Sequence, residues 1–320
     1  VIGYTVDGER VDNVYTDPEF KALASGLARA LPKTPIINYV DTTPDGRKML
    51  IVAASDDDPG RYYIYDKVSK ALEPTLSVSP QLDGFKLAKM KMVMVPIGDG
   101  KQIPAYLTLP PGKDGKNLPA IVMPHGGPTS RDYWGFDWLS QFFAQRGYAV
   151  IQPQFRGSTG FGKEHQNDNA MRNWRAAMSD VIASGRWMAS QGIADPKRLA
   201  IFGWSYGGYA ALQSAALEPD LFKAVIAVAP VTDFALLKQA YDNNTMINEM
   251  LGTTGMAAAS PLQNADRIKA PVLLVHGDTD INVKIEHADK MYSALQARGK
   301  QVEYLRYKGL DHQLPDPVAR

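Results

Sequence analysis

From residue 118 onward, short apolar runs alternate along the chain with helical patterns. The apolar runs cover residues 119–123, 148–152, 199–203, 223–228, 272–276 and 302–307. One helical face is marked by apolar or small residues at helical spacing, namely Trp174, Met178, Val181, Gly185 and Met188. A second helical stretch follows Ser205, and a third spans 285–298. Buried strands that alternate with helices indicate an α/β fold with a mainly parallel sheet covered on both faces.

Residues 1–84 carry a different pattern, of short β-rich runs separated by turn signals. The runs cover 36–40, 48–53 and 61–65, with turn residues at 43–46 and 56–60 between them. Short, evenly spaced antiparallel strands are typical of hairpin-built sheets such as propeller blades, which take about 40–50 residues each. We therefore predict a partial β-propeller-like segment at 1–84 and a separate α/β domain at 85–320, with a hairpin at 92–96 and 103–109.

Composition and charge narrow the possible partners. Lys and Arg number 35 against 34 Asp and Glu, so no basic face for nucleic acid is indicated. No apolar stretch reaches the length of a membrane span, and we expect no membrane partner. The absence of cysteine excludes disulfides and cysteine nucleophiles, and it fits a cytoplasmic or a periplasmic or secreted location equally. A homo-oligomer is compatible with these numbers.

The segment Gly203-Trp204-Ser205-Tyr206-Gly207 fits the nucleophile pattern Gly-x-Ser-x-Gly. It follows a predicted strand and precedes a predicted helix, as that motif requires. The glycines allow a sharp turn, and the positive end of the helix favours a developing oxyanion. A helix cap with glycines for tight packing is the alternative interpretation. We predict that Ser205 is the nucleophile.

A serine nucleophile needs a base and an acid, which follow it in this chain order. Of five histidines, three lie after Ser205. His276 ends a strand and comes too early, and His287 lies in an amphipathic helix, where we expect a solvated side chain. His312 follows a strand in a loop and is the predicted base. For the acid the residues alone favour Asp280 and leave Asp278 and Asp311 open.

Two adjacent glycines follow the first strand of the predicted parallel sheet, in His125-Gly126-Gly127-Pro128. Backbone N–H groups in such a loop can approach a substrate oxygen closely, although a plain turn is the alternative. The second donor of an oxyanion hole comes from the residue after the nucleophile. We predict Gly127 and Tyr206 as the two donors.

Taken together, these segments resemble the catalytic domain of the prolyl oligopeptidase family, in its acylaminoacyl-peptidase and dipeptidyl-peptidase branches, over residues 84–314. The matching segments are 125–128, 156–162, 203–208, 229–233, 276–280 and 311–312. The family pattern His-Gly-x-x-Asp implies that the acid is Asp280. Family members carry an N-terminal β-propeller, so the resemblance implies that most of a propeller in the same polypeptide is missing here.

The resemblance also implies an apolar specificity pocket for the side chain before the scissile bond. Its positions map onto Val231, Phe234, Leu237, Tyr241 and Val283. Asn282 matches a position that holds a substrate carbonyl. Core packing is the alternative for the apolar set. Since no residue of that set is charged, a hydrophobic or small substrate side chain is implied.

The resulting prediction is a serine peptidase with an α/β-hydrolase catalytic domain at 85–320, which hydrolyses short peptides through a Ser-Asp-His triad and an acyl-enzyme, with no metal or cofactor. A carboxylesterase acting on acyl esters with the same triad is the alternative within enzymes. A binding module on the same fold is the alternative outside them, but such a protein should have lost part of the triad, and here all three residues are present.

Overall fold

The computed structural model describes residues 1–98, 100–167, 170–241, 244–251 and 255–315. They divide into two compact units. The first contains Val1–Lys91, Thr108–Lys113 and Tyr133–Gly147. The second contains Met92–Leu107, Asp114–Asp132 and the chain from Tyr148 onward.

Strands and helices alternate most regularly in the second half of the chain. The strands are β1 Gly3–Asp7, β2 Val11–Tyr15, β3 Ile36–Thr42, β4 Lys48–Ser55, β5 Asp58–Asp66, β6 Leu72–Ser77, β7 Met90–Gly98, β8 Lys101–Thr108, β9 Leu118–Val122, β10 Ala149–Pro153, β11 Ala194–Trp204, β12 Val225–Val228, β13 Val272–Gly277 and β14 Val302–Tyr307. The helices are α1 Pro18–Ala30, α2 Trp138–Gln145, α3 Lys163–Asn167, α4 Trp174–Ser190, α5 Tyr206–Leu217, α6 Phe234–Ala240, α7 Thr245–Leu251, α8 Met256–Ala259 and α9 Glu286–Ala297. The six apolar runs correspond to β9–β14, and the three predicted helices to α4, α5 and α9.

The first unit contains the hairpin β1–β2 and an antiparallel four-stranded sheet in the order β3-β4-β5-β6. Its helix α1 begins at Asp17, whose carboxylate accepts hydrogen bonds from the N–H groups of Glu19 and Phe20. Leu27 of α1 is buried with Met49 and Ile51 of β4, which form the apolar centre of this unit. The sequence predicted the strands β3–β5 but not α1.

The second unit is built on an eight-stranded sheet in the order β14-β13-β12-β11-β9-β10-β8-β7. Six neighbouring strands of this sheet, β14-β13-β12-β11-β9-β10, are parallel to one another. Almost every residue of β9, β10, β12 and β13 is buried, as expected for parallel strands covered on both faces. Helix α4 packs on β9–β11, α5 on β11 and β12, and α9 on β13 and β14. This is the predicted α/β-hydrolase fold.

The strand ends bring the predicted site residues to one edge of this sheet. β11 ends at Trp204, directly before Ser205. β13 and β14 run parallel in register as far as Gly277 and Tyr307, so the loops that follow them leave the sheet side by side. These loops carry Asp280 and His312, and ligands of open α/β sheets bind at such carboxyl ends.

Candidate active site

Ser205 lies between β11 and α5 with φ 59° and ψ −120°, a backbone conformation that side-chain-bearing residues rarely adopt. Its N–H donates to Val228 O at 2.8 Å, and its carbonyl accepts from Tyr209 N at 3.1 Å. The strained residue is therefore fixed from both sides, by the neighbouring strand β12 and by the first turn of α5. A half-buried serine in a strained strand-to-helix turn is the geometry of a nucleophile elbow.

The glycines around Ser205 are required by close backbone approach. A Cβ on Gly203 would overlap the carbonyl oxygen of Gly207, and one on Gly207 would overlap that of Pro124. At Gly208 a Cβ would lie 2.9 Å from Pro230 Cβ. The motif therefore reflects the packing of β11, α5 and the loop after β9 against one another.

The predicted base and acid form a short, buried hydrogen bond. His312 Nδ1 lies 2.6 Å from Asp280 Oδ2, and the Asp280 side chain is fully buried. Asp280 Oδ1 accepts from the N–H groups of Asn282 at 2.8 Å and Val283 at 2.9 Å. Because the carboxylate accepts at Nδ1, that nitrogen carries the proton and Nε2 is left as the basic atom.

The ionised form of Asp280 is strongly favoured. Burial alone would raise its pKa, but hydrogen bonds from His276, from His312 and from the Val283 N–H together hold the pKa well below the usual carboxyl range. Asp280 is therefore anionic throughout the neutral range, as a carboxylate that orients an imidazole and stabilises its cation must be.

Hydrogen bonds join the loop of His312 to the nucleophile turn and the two loops to each other. The Trp204 indole, next to Ser205, donates to His312 O at 2.9 Å. Thr279 N donates to Leu310 O at 3.1 Å, and a Cβ on Gly277 would overlap that same oxygen. Within the described residues, Ser205 Oγ and the His312 ring are not hydrogen-bonded to each other. Such contacts often tighten only when substrate binds.

The other two acid candidates have structural partners. Asp278 Oδ1 accepts from Gly309 N at 2.7 Å and thereby ties the turn after β13 to the loop after β14. Asp311 Oδ1 accepts from Gln313 N at 2.9 Å, two residues away, within the loop that carries His312. Neither carboxylate is hydrogen-bonded to the His312 ring in the described structure.

The glycine loop after β9 packs against the nucleophile turn. A Cβ on Gly126 would lie 3.5 Å from Ser205 Cβ, and Gly127 has φ 122°, in the region that favours glycine. The His125 ring stacks on Phe155 and lies 2.8 Å from Ser158 Oγ. Burial lowers the pKa of His125 to about 4, so this imidazole is neutral near pH 7. The loop is therefore held by an uncharged, buried ring.

The second predicted donor, Tyr206, is the first residue of α5. Its side chain is buried, and its hydroxyl donates to Ala170 O at 2.8 Å. The N–H groups of a first helical turn have no carbonyl partner within the helix, so they can bind an anion. The backbone at Tyr206 thus has the position in the chain that an oxyanion donor needs.

The residues of the implied specificity pocket differ in exposure. Four of them are at most 4% exposed, namely Val231, Phe234, Leu237 and Val283. Tyr241 is half-buried, and its hydroxyl donates to Asn282 O at 2.8 Å, while Asn282 itself is exposed. The structure thus joins Tyr241 to the loop that follows Asp280.

Two histidines have surroundings that the sequence did not indicate. The prediction of a solvated His287 is wrong, because this residue is 2% exposed and its Nδ1 accepts from Thr232 N at 3.1 Å. His276 is fully buried, with Nε2 3.2 Å from Asp280 Oδ2. The spacing of four residues between His276 and Asp280 across a tight turn was the only available signal for that contact.

Among the described residues, no cluster of three or more His, Cys, Asp or Glu side chains is arranged to hold a metal ion. None of the helices described is both long and apolar enough to cross a membrane.

Comparison with known proteins identifies the family. A model described as the prolyl oligopeptidase family matches residues 134–320. Dipeptidyl aminopeptidase BIII of Pseudoxanthomonas mexicana is 32% identical over 95% of this chain and 48% of its own length. The acylamino-acid-releasing enzyme of Rattus norvegicus is 28% identical over 66% of this chain and 30% of its own.

A solved structure gives the same fold. The acylaminoacyl peptidase of Pyrococcus horikoshii superposes with a TM-score of 0.71 at 23% identity, over 83% of this chain and 44% of that one. The chain spans about half the length of the two curated relatives that match 95% and 88% of it. The resemblance stated from the motifs is confirmed, and the chain belongs to the prolyl oligopeptidase family of serine peptidases, with the α/β-hydrolase fold of its catalytic domain.

Proposed function

We propose that this chain hydrolyses short peptides through an acyl-enzyme, with Ser205 as nucleophile, His312 as base and Asp280 as the acid that orients the base. The observation that carries the proposal is the buried 2.6 Å hydrogen bond between His312 Nδ1 and Asp280 Oδ2, on loops joined to the strained turn at Ser205. It supplies what a serine lacks, an imidazole held in the tautomer that can accept its proton.

The first half of the proposed reaction forms the acyl-enzyme. Ser205 Oγ attacks the scissile carbonyl carbon while His312 Nε2 takes the hydroxyl proton. The imidazolium that forms is stabilised by the Asp280 carboxylate. The carbonyl oxygen becomes an oxyanion, which the N–H groups of Gly127 and Tyr206 bind; loss of one such donor typically lowers turnover by about 10²–10³-fold.

The second half releases the products. His312 returns the proton from Nε2 to the leaving amine nitrogen as the carbon–nitrogen bond breaks. A water molecule then attacks the acyl carbon and gives its proton to Nε2, and Ser205 recovers its hydroxyl proton when the acid product departs. The ring alternates between neutral and cationic forms while Asp280 stays anionic.

For the substrate we propose peptides with a hydrophobic or small side chain before the scissile bond. The set Val231, Phe234, Leu237, Tyr241 and Val283 contains no charged residue. Tyr241, the half-buried member of this set, and the exposed Asn282 are the side chains that an incoming peptide would meet first. The names of the relatives support an acylaminoacyl-peptidase or dipeptidyl-peptidase type of cleavage.

We further propose that residues 1–84 are the end of a β-propeller and that 85–320 form the catalytic domain. The antiparallel sheet β3-β4-β5-β6 has the four strands of one propeller blade. The relatives are about twice as long as this chain, which leaves room for further blades in the same polypeptide. A homo-oligomer stays a prediction.

The decisive experiment compares the parent chain with Ser205→Ala. We expect turnover of a peptide anilide to fall by about 10⁶-fold, because the three residues act as a unit, and labelling by a fluorophosphonate to disappear. Ser293→Ala is the matched control, since Ser293 is an exposed serine on α9 whose hydroxyl bonds Asp289 O. This control should be labelled by the fluorophosphonate and hydrolyse the peptide anilide at the parental rate.

Two results would contradict the proposal. Near-parental turnover by Ser205→Ala would exclude the serine mechanism. Hydrolysis of a p-nitrophenyl acyl ester by the parent, with none of any free or N-blocked peptide anilide, would make the chain an esterase, an assignment that the names of its relatives do not favour.

A further inference from the structure

A second imidazole contacts the carboxylate of Asp280. His276 lies near the end of β13, four residues before Asp280, and is 0% exposed. Its Nε2 is 2.9 Å from Val283 O and 3.2 Å from Asp280 Oδ2. With His312 at 2.6 Å on the same oxygen, Oδ2 is placed between two histidine rings.

The contacts of His276 determine which of its nitrogens carries a proton. Val283 O is only an acceptor, so Nε2 must be protonated to bond it. Nδ1 is buried and has no hydrogen-bond partner among the described residues. A second proton there would be an unpaired donor on a desolvated cation, which is strongly unfavourable. His276 is therefore the neutral Nε2–H tautomer, which bonds Val283 O through a nitrogen that also lies 3.2 Å from Asp280 Oδ2.

With this proton, the Asp280 carboxylate has donors on every side. Oδ1 accepts two backbone N–H groups, and Oδ2 accepts from His312 Nδ1 and contacts the protonated Nε2 of His276 at 3.2 Å. His276 Nε2 donates to Val283 O, the carbonyl of a residue whose N–H bonds Oδ1, so His276 connects to both ends of the turn that holds the carboxylate. The ring thus closes the turn that carries the acid and fixes the rotation of its carboxylate.

From this geometry we propose that His276 is a positioning residue, a neutral donor that sets the direction of Asp280 Oδ2 toward His312 and limits how strongly the carboxylate attracts the His312 proton. The inference rests on the proposed function, because it assigns His276 a part in tuning that base. His276 itself touches neither the nucleophile nor the proton that is transferred.

Titratable groups near His276 come from the turn after β13, the loop after β14 and α9. Asp280 faces it from the turn after β13, with His312 beyond that carboxylate. His287 approaches from α9, where burial lowers its pKa to about 4, so this ring is neutral near pH 7. Asp280 is the charged group in contact with His276.

The test uses the full chain and three variants. His276→Phe keeps a ring and removes the donor, whereas His276→Gln places an amide N–H near the position of Nε2. His287→Gln is the matched control, because His287 is an equally buried histidine of the same unit that bonds Thr232 rather than Asp280. Each is measured for kcat, KM and the pH profile of kcat/KM, with active sites counted by fluorophosphonate labelling.

We expect His276→Phe to lower kcat per active site by about ten- to a hundredfold, the range for one lost hydrogen bond to a charged group, with KM little changed. The acidic limb of its profile should move to higher pH, because a carboxylate with one donor fewer holds the His312 proton more strongly. Compared with His276→Phe, His276→Gln should recover most of the parental kcat and the parental position of the acidic limb. His287→Gln should leave the acidic limb where the parent has it.

A readout independent of turnover is the downfield proton NMR signal of the His312–Asp280 hydrogen bond. It should shift in His276→Phe and stay in place in His287→Gln. The inference would be overturned if His276→Phe kept the parental kcat and the parental acidic limb, or if its downfield NMR signal did not move. If the parent itself turns over no peptide while the signal still shifts, the proposed function fails and the positioning contact stands.

Discussion

Replacing Asp280 by Asn removes one charge from the proposed site and changes its shape very little. The two backbone N–H groups that bond Oδ1, from Asn282 and Val283, require an oxygen at that position. The amide oxygen must therefore occupy the Oδ1 position, and the NH₂ group replaces Oδ2 opposite His312 Nδ1. Two donors would then meet at the place where the parent has a 2.6 Å hydrogen bond.

The two donors no longer conflict if His312 changes tautomer. This change of tautomer determines how much kcat is lost in Asp280→Asn. With the proton moved to Nε2, Nδ1 accepts from the introduced amide, and Nε2 can no longer take the proton of Ser205. The same exchange in Ser-His-Asp enzymes lowers kcat by about 10⁴-fold. At 1.36 kcal/mol per factor of ten, that corresponds to about 5.5 kcal/mol of transition-state stabilisation. We expect Asp280→Asn to show a loss of this size in kcat with KM close to the parent.

The assay is steady-state hydrolysis of a peptide anilide, with circular dichroism to show that the variant is folded. Asp278→Asn is the matched control, since this partly exposed turn carboxylate bonds Gly309 N and not the imidazole. The control should keep near-parental kcat and lose at most about 1 kcal/mol of stability. If Asp280→Asn is folded and keeps kcat within about tenfold of the parent, the tautomer reasoning is refuted.

Two further predictions concern backbone packing and acid stability. Gly207→Ala should abolish activity or folding, because its Cβ would overlap Pro124 O, whereas Gly26→Ala has open space on α1 and should raise the free energy of unfolding by about 0.5–1 kcal/mol. Thermal unfolding and peptide turnover are measured for both variants. A stable and active Gly207→Ala would contradict the close packing at this glycine. Since the folded pKa of Asp280 lies below its unfolded value of about 3.9, its ionisation stabilises the fold above that pH, and this contribution is lost as pH falls toward the folded pKa. Unfolding free energies from pH 7 downward should therefore decline more steeply in the parent than in Asp280→Asn, and parallel curves would contradict the assignment.

The parallel sheet could be predicted because its apolar runs leave few alternatives. A run such as 272–276 is apolar on both faces, which only a strand covered on both sides tolerates. Helix α1 was missed although Asp17, Pro18 and Glu19 form a helix start signal. Its apolar residues Phe20, Leu23 and Leu27 also fall at helical spacing and pack with Met49 and Ile51 of β4, so the sequence did contain the signal for this helix.

For the candidate site, residues that belong to a motif could be predicted and contacts across a turn could not. Ser205, Asp280 and His312 follow strand ends, and the topology determines where strand ends meet. The contact between His276 and Asp280 depends on the rotamer of a buried ring, and nothing in the pattern of residues specifies a rotamer. His287 is a different case: it shares the buried face of α9 with Met291 and Leu295 at four-residue spacing, and the expectation of a solvated side chain did not use that pattern.

The placement of the proposed base has a consequence for how the protein would lose activity. His312 follows β14, which lies at the edge of the eight-stranded sheet in the described chain. Edge strands open at lower free energy than central ones, since local opening need not involve the rest of the core. Mild heat or denaturant should therefore detach the imidazole while β9–β12 and the strained serine remain native, and inactivation should precede global melting.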